Sequence, residues 1–300
     1  MTMPPARAGQ TSADQTRADQ TRADQASAIR IQAQRAQAFR ALHEGPGPLL
    51  LPNPWDAGSA RLLASLGFAA LATTSGGFAA TLGRLDGAVT RDEALGHAAA
   101  IAAATPLPVS ADLENAFADE PAGVAETIGL AAAAGLAGCS VEDFTRRPGE
   151  PIYDLGLARE RVAAAAAAAR TAPGPLVLTA RAENYLHGRP DLADTIRRLQ
   201  AYQEAGADVL YAPGLTSLAD IRDVVSSVDR PVNVLTFAGA PSVPQLAAAG
   251  VRRISVGSAF ANAALGAVVT AARELREQGT YGFLDQAATG RAAASAAFLA

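Results

Sequence analysis

From Leu49 to Gly257 the chain repeats one joint. A helical stretch closes on a glycine and a short apolar run follows, as at Gly67 before 68–74, Gly135 before 138–144, Gly206 before 207–212 and Gly250 before 251–257. Glycine at a helix end supplies the left-handed cap, and runs apolar on both faces suit strands covered by helices on both sides. Four more runs, 49–53, 108–114, 176–183 and 231–237, bring the strands to eight. Between them lie helical stretches such as 90–104, opened by the capping box Thr90-Arg91-Asp92-Glu93, and the alanine-rich 157–171. Eight strands alternating with helices predict an α/β fold, a (β/α)8 TIM barrel; an open doubly wound sheet, which more often needs fewer strands, is the second choice. The domain reading is an unstructured low-complexity extension over 1–26, where Ala-Asp-Gln-Thr-Arg repeats, and one barrel domain over 27–300. That domain includes a lead-in helix over 29–43, with Ile29, Ala33, Ala36 and Leu42 as its apolar stripe, and a long C-terminal helix over 258–278.

Composition narrows the function. Hydrophobic residues make up 49% and charged residues 18%, with no apolar run near the ~20 residues a membrane helix needs. The N-terminus lacks a secretory signal and Cys139 is the single cysteine, so the expected compartment is the cytoplasm. Twenty-five cationic against twenty-nine acidic residues leave −4, without a basic cluster to follow a phosphate backbone, so neither nucleic acid nor membrane is an expected partner. Every one of those cations is arginine, which excludes Schiff-base catalysis through lysine.

A barrel of this kind carries its active site at the C-terminal ends of the strands. There the third strand ends in Asp112-Leu113-Glu114, the fourth in Glu142-Asp143 and the fifth in Arg181-Ala182-Glu183. Asp112 and Glu114, two apart, share one side of their strand, and Glu142 comes from the neighbouring strand end. Carboxylates gathered in this way call for a cation, and with water they are the ligand set of Mg²⁺, with Mn²⁺ as the substitute; the bland reading pairs them with arginines such as Arg181. Arg181 suits bidentate capture of a carboxylate, and the amides of Ser75-Gly76-Gly77 can approach an anion closely. His43 and His97 read as surface residues, His187 as a loop residue able to reach the mouth, and Cys139 as a buried, inert thiol.

Leu51-Pro52-Asn53-Pro54-Trp55-Asp56-Ala57, Thr74-Ser75-Gly76-Gly77, Asp86, Asp112-Leu113-Glu114, Val141-Glu142-Asp143 and Thr179-Ala180-Arg181 stand in the order found in one family. Over residues 39–285 the chain resembles the isocitrate lyase and phosphoenolpyruvate mutase superfamily. The resemblance implies a Mg²⁺-dependent lyase acting on a small 2-oxo acid through its enolate. Asp112 would be the inner metal ligand, and Asp86, Glu114 and Glu142 would hold the metal's waters. Trp55, Ser75, Gly76, Gly77 and Arg181 would bind substrate, with Arg181 and Glu142 as the catalytic pair and Arg181 on the developing enolate oxygen. It also implies a homo-oligomer, dimer or tetramer, with C-terminal helices exchanged between barrels.

Two stretches depart from the family pattern. After the fourth strand the lyases carry a lysine-rich segment with a catalytic cysteine and a histidine, whereas this chain has the shorter Phe144-Thr145-Arg146-Arg147-Pro148-Gly149-Glu150-Pro151. The family's Gly-Tyr-Gly after the acidic pair is Ala116-Phe117-Ala118. The leading expectation is therefore a C–C lyase or decarboxylase other than isocitrate lyase. Phosphonopyruvate mutase or hydrolase chemistry and a non-catalytic 2-oxo acid binder are the alternatives, and His187, Tyr153 and a metal-bound water stay open as proton donors.

Overall fold

The computed structural model describes residues 8–299, with side chains described from Arg17 onward, Ala18 aside. Eight parallel strands, β1 (Leu49–Leu51), β2 (Leu71–Ala72), β3 (Val109–Asp112), β4 (Gly138–Glu142), β5 (Val177–Arg181), β6 (Val209–Tyr211), β7 (Val232–Leu235) and β8 (Arg253–Ser255), form one sheet in the order β1-β8-β7-β6-β5-β4-β3-β2. The remaining edge is drawn together by the Ala72 N–H donating to Pro52 O at 3.1 Å and by Asn53 Nδ2 donating to Thr73 O at 2.9 Å. The eleven described helices are α1 (Ala8–Leu42), α2 (Ala57–Ser65), α3 (Ser75–Thr81), α4 (Arg91–Ala104), α5 (Pro121–Ala133), α6 (Leu155–Thr171), α7 (Leu192–Ala205), α8 (Leu218–Ser226), α9 (Val243–Ala248), α10 (Ala259–Gln278) and α11 (Phe283–Leu299). This is the (β/α)8 barrel, and each of the eight strands lies within the apolar run that predicts it.

The local signals act as expected. Thr90 and Glu93 form the reciprocal capping box of α4, and Gly206 closes α7 at φ +106°, a conformation that a side chain would disfavour. Alanines on the buried faces of α5 and α6 let these two helices pack closely on each other and on β4 and β5. Among the described residues no helix is long and apolar enough to cross a membrane.

With strands tilted as a closed barrel requires, the register sorts inward-facing side chains into tiers from alternate strands. Lowest are Ala70, Gly138, Val209 and Arg253, followed by Leu51, Ser110, Thr179 and Asn233, then Ala72, Ser140, Tyr211 and Ser255. Asn53, Asp112, Arg181 and Leu235 form the mouth. The apolar core thus lies mainly between strands and helices, and the inside of the barrel is largely polar.

α1 departs from the expected lead-in. The segment read as unstructured is helical from Ala8 on, and residues 1–7 lie outside the described residues. Ala, Gln and Arg favour helix without a buried face, and spacing-of-four links such as Gln20 Nε2 to Asp24 Oδ1 at 3.1 Å support the exposed repeat. Its buried stripe is Gln32, Ala36, Phe39 and His43, while Ile29 stays exposed. Phe39 plugs the bottom of the barrel against Gly138, where a Cβ would come within 2.8 Å of the ring, and Gln32 Nε2 donates to Leu136 O and Gly174 O.

His43 is therefore a core residue, not a surface one. Its Nδ1–H donates to Phe39 O at 2.8 Å, and burial, assisted by the nearby Arg253 charge, pushes its pKa down to about 4. A histidine with a depressed folded-state pKa stabilises the fold above the unfolded value of 6.5 and loses that contribution as pH falls toward 4. The loss amounts to about 3 kcal/mol. Urea unfolding between pH 7.5 and 4.5 will show this drop for the parent chain, and His43→Phe will flatten it.

Candidate active site

Arg181, at the end of β5, takes a carboxylate on each of its three nitrogens. Nη1 donates to Asp112 Oδ1 at 2.9 Å, Nη2 pairs with Glu142 Oε2 at 3.0 Å, and Nε donates to Glu183 Oε1 at 2.8 Å. The guanidinium lies over the ring of Tyr211, 5.2 Å from its centroid. Burial alone would favour discharging Arg181, but Glu183, Glu142 and Asp112 outweigh it and hold the charge firmly in place. Burial is also the main force on Glu142 and Glu183, raising both carboxyls despite Arg181.

These groups face a cavity of about 190 Å³ that runs from the mouth into the barrel, lined by Asp112, Arg181, Ser75 and Asp86 above and by Ser140 and Arg253 below. An outer chamber of about 450 Å³ shares Ser75, Asp86 and Arg181 and adds Glu114, Glu142 and His187. Asp86, Asp112, Glu114, Glu142, Ser75 and Arg181 are thus brought together, although they come from five separate chain segments.

The Ser75-Gly76-Gly77 segment is the first turn of α3, and its amides are partly committed. Ser75 N donates to Asp112 Oδ2 at 3.2 Å, and Gly77 N donates to the capping Thr74 Oγ1 at 3.3 Å. Gly76 leaves room for its neighbours, since a Cβ there would come within 2.7 Å of Ser258 Oγ and 3.1 Å of Asp86 Oδ2. Trp55 stands behind Gly77, outside the linings of these two chambers, and its carbonyl accepts from His97 Nε2 at 2.9 Å. His97, expected at the surface, is half-buried by this bond and by stacking on Phe78.

Sequence reasoning missed how the acids are held. Glu114 (φ +51°), Ala116 (+59°) and Phe117 (+56°) are all left-handed, a conformation that costs non-glycine residues about 1–2 kcal/mol each. This is the stretch where the family pattern has glycines. The buried Arg161 of α6 clamps it, with Nη2 donating to Asn115 O at 2.7 Å and Nη1 to Asp119 O at 2.7 Å and to Ala118 O. Asp143, next to Glu142, serves the scaffold: Oδ1 accepts from Glu183 N at 2.8 Å, and Oδ2 accepts from Tyr202 at 2.5 Å and Arg198 at 3.1 Å. Arg161 is one of three arginines in the alanine-rich α6, and nothing local singles it out or identifies the carbonyls it reaches.

The loop after β4 folds back on itself through the Phe144–Ile152 bridge and the Thr145 N–H to Pro151 O bond. Its Arg146 pairs with Glu114 and donates to Gly87 O at 2.9 Å, placing a second guanidinium at the outer chamber. His187 stacks on Phe144 at 3.6 Å with Nε2 3.7 Å from Glu183 Oε2. Tyr153 faces a different surface hollow, donates to Asp119, and is pushed up to about 12, chiefly by burial, which takes it away from the Arg181 cavity. Cys139 is fully buried with its thiol likewise pushed up to about 12, an inert packing residue.

Residues 39–276 match the phosphoenolpyruvate phosphomutase family profile. The chain belongs to the isocitrate lyase and phosphoenolpyruvate mutase superfamily. It is 32% identical over 213 residues to 2-methylisocitrate lyase of Escherichia coli K12, covering 68% of this chain and 71% of that one. A Burkholderia cenocepacia J2315 crystal structure, provisionally named a lyase/mutase, matches with a TM-score of 0.83 and 57% identity over 85% of this chain and 92% of that one. An oxaloacetate acetylhydrolase solved with its product oxalate matches with a TM-score of 0.75 and 26% identity, covering 82% and 88%. The chain is accordingly an enzyme of this lyase and mutase superfamily.

The Arg161 clamp can be tested directly. Arg161→Met leaves three backbone carbonyls without their charged donor and is expected to cost about 3 kcal/mol in urea unfolding.

Proposed function

We propose that this protein is a divalent-metal-dependent enzyme that makes or breaks a carbon–carbon bond beside the carbonyl of a small 2-oxo acid, as a lyase or decarboxylase working through an enolate. The observation that carries the reading is Arg181, a fixed cation on the wall of a cavity at the barrel mouth, beside Asp112 and Glu142. Preorganised positive charge of this kind stabilises an oxyanion that develops during reaction, at no cost of reorientation. The oxalate held by the solved oxaloacetate acetylhydrolase has the shape of a pyruvate enolate, which supports the same substrate class here.

The donor set suits a hard divalent ion. Around the upper part of the two chambers Asp86, Asp112, Glu114, Glu142 and Glu183 stand against Arg181 and Arg146, with Arg253 deeper in, so negative charge is in excess at the mouth. Among the described residues no three acidic, histidine or cysteine side chains converge closely enough to cage a metal. Mg²⁺, with Mn²⁺ as substitute, keeps most of its waters and needs only one or two carboxylates of its own. Asp112 would be the direct ligand, and Asp86, Glu114 and Glu142 would hold the waters. When bound, the ion would supply Lewis-acid stabilisation of charge on the substrate's oxo oxygen.

The chain's own residues divide the remaining work. Arg181 orients the substrate and stabilises its developing charge, the free amide of Gly76 and the Ser75 hydroxyl seat the carboxylate, and Glu142 fixes Arg181. His187 is the imidazole at the outer chamber, 3.7 Å from Glu183 Oε2, and although burial and the Arg181 charge hold it below the ordinary histidine range, its position makes it the first choice as proton donor in place of the family's cysteine. The phosphoryl-transfer alternative is disfavoured because the loop after β4 turns an arginine onto Glu114 and carries no asparagine or lysine for a migrating group.

Calorimetry with oxalate tests this reading. Binding is expected with Mg²⁺ present, weaker by more than about 100-fold without it or in Asp112→Ala. Absence of binding under every condition overturns the mechanism. For turnover of oxaloacetate-type substrates, Arg181→Gln should lower kcat by about 100–1000-fold.

Assembly follows from α10. Phe260, Leu265, Val268, Val269 and Leu275 are exposed along it, and Ala261 is its one fully buried residue. Such a row calls for a partner surface, which a second copy with exchanged helices supplies. Val268→Glu with Val269→Glu should shift sedimentation from oligomer to monomer.

A further inference from the structure

Arg253 lies in the lowest tier of the barrel, 4% exposed, with its side chain rising toward the centre. Among the described residues it makes a single side-chain hydrogen bond, Nε to Asn233 Oδ1 at 2.9 Å, and no ion pair. Nη1 is enclosed without an acceptor. Burial pulls its pKa down to about 10, so the group remains charged at neutral pH. The carboxylates of the mouth do not answer this charge: Asp112, Glu142 and Glu183 are committed to Arg181, at the top of the barrel. A buried cation without a counter-charge is strongly disfavoured, so some anion must offset it.

The surroundings are those of a receptor for a small anion. Thr179 Oγ1 is enclosed without a hydrogen-bond partner, and the Ser110 and Ser140 hydroxyls, which line the inner cavity with Arg253, make no hydrogen bond to the described protein. Hydroxyl hydrogens turn to suit an acceptor, so three hydroxyls and the idle guanidinium N–H groups can all donate to one ion. Asn233 is held the other way, its Oδ1 on Arg253 and its Nδ2 on Ser255 Oγ at 3.0 Å, which fixes Arg253 without neutralising it.

We propose that the barrel interior holds a monovalent inorganic anion, halide-sized, between Arg253 and the hydroxyls of Ser110, Ser140 and Thr179, below and separate from the substrate site. The tiers set its identity. Ser110 and Thr179 each stand one inward position, roughly 6.6 Å, below Asp112 and Arg181 on β3 and β5, so a small oxo acid seated at the upper pair leaves the lower hydroxyls and Arg253 to a second ion deeper in the same cavity. The ion would offset Arg253 and lie beneath Arg181, which makes stability depend on chloride.

The test uses chloride and bromide on the full chain, with gluconate at equal ionic strength as the control. Chloride should raise the thermal unfolding midpoint of the parent by roughly 3 °C per tenfold increase beyond half-saturation, while Arg253→Met, whose interior needs no counter-ion, should respond equally to chloride and gluconate. An equal response to the two salts in the parent, or the same chloride effect in both proteins, overturns the proposal. Should Arg253→Met fail to fold, crystals of the parent grown in bromide decide: an anomalous peak between Arg253 and Thr179 that persists with oxalate bound supports the site. Either no peak or displacement of bromide by oxalate overturns it.

Discussion

Burying charge without solvent is the constraint on which this barrel depends. Acids from β3, β4 and β5 meet at the mouth, and Arg181 is the cation that makes their approach affordable, with one carboxylate on each nitrogen and Tyr211 beneath. Its neighbours are fixed in turn. Asp143 ties the backbone of Glu183 to α7 through Arg198 and Tyr202, and Arg161 ties the left-handed stretch after Asp112 to α6. The working groups stand on scaffold whose own polar atoms are satisfied, which is how a site keeps sub-ångström geometry without substrate.

The loop after β4 separates this chain from the lyases that the family pattern describes. Where those carry a thiol and lysines, this loop closes on itself with backbone bonds and turns Arg146 onto Glu114. A second guanidinium at the outer chamber changes the field a substrate meets there and removes the thiol as a proton source. The same barrel with a different rim is in keeping with a fold whose chemistry is varied through its loops.

Much of this architecture is visible locally. Apolar runs between glycine-capped helices mark the strands because a strand between two helix layers must be apolar on both faces, and Thr90 with Glu93 marks a helix start through bonds that span three residues. Asp112 and Glu114 are legible as a pair through the period of two. The exposed helix over the N-terminal repeat escaped because its segment lacks an apolar stripe, the signal from which helices are read, although its propensity was favourable. His43 and His97 look like surface residues for a related reason: what covers them, the barrel floor near Arg253 for His43 and Phe78 with the Trp55 carbonyl for His97, belongs to other segments of the chain.

What the sequence by itself determined is the alternation of elements, the fold they close into, and the chemical types standing at the strand ends. Short-range patterns suffice for these, because caps, periodicity and strand composition act within a few residues. Tertiary structure alone decided which acid each arginine takes, that Arg161 rather than glycine sustains the turn after Glu114, and that Arg253 stands in the barrel without a carboxylate. Those outcomes depend on the register and tilt of eight strands, which set distances between residues tens to hundreds of positions apart and leave no trace in any local pattern.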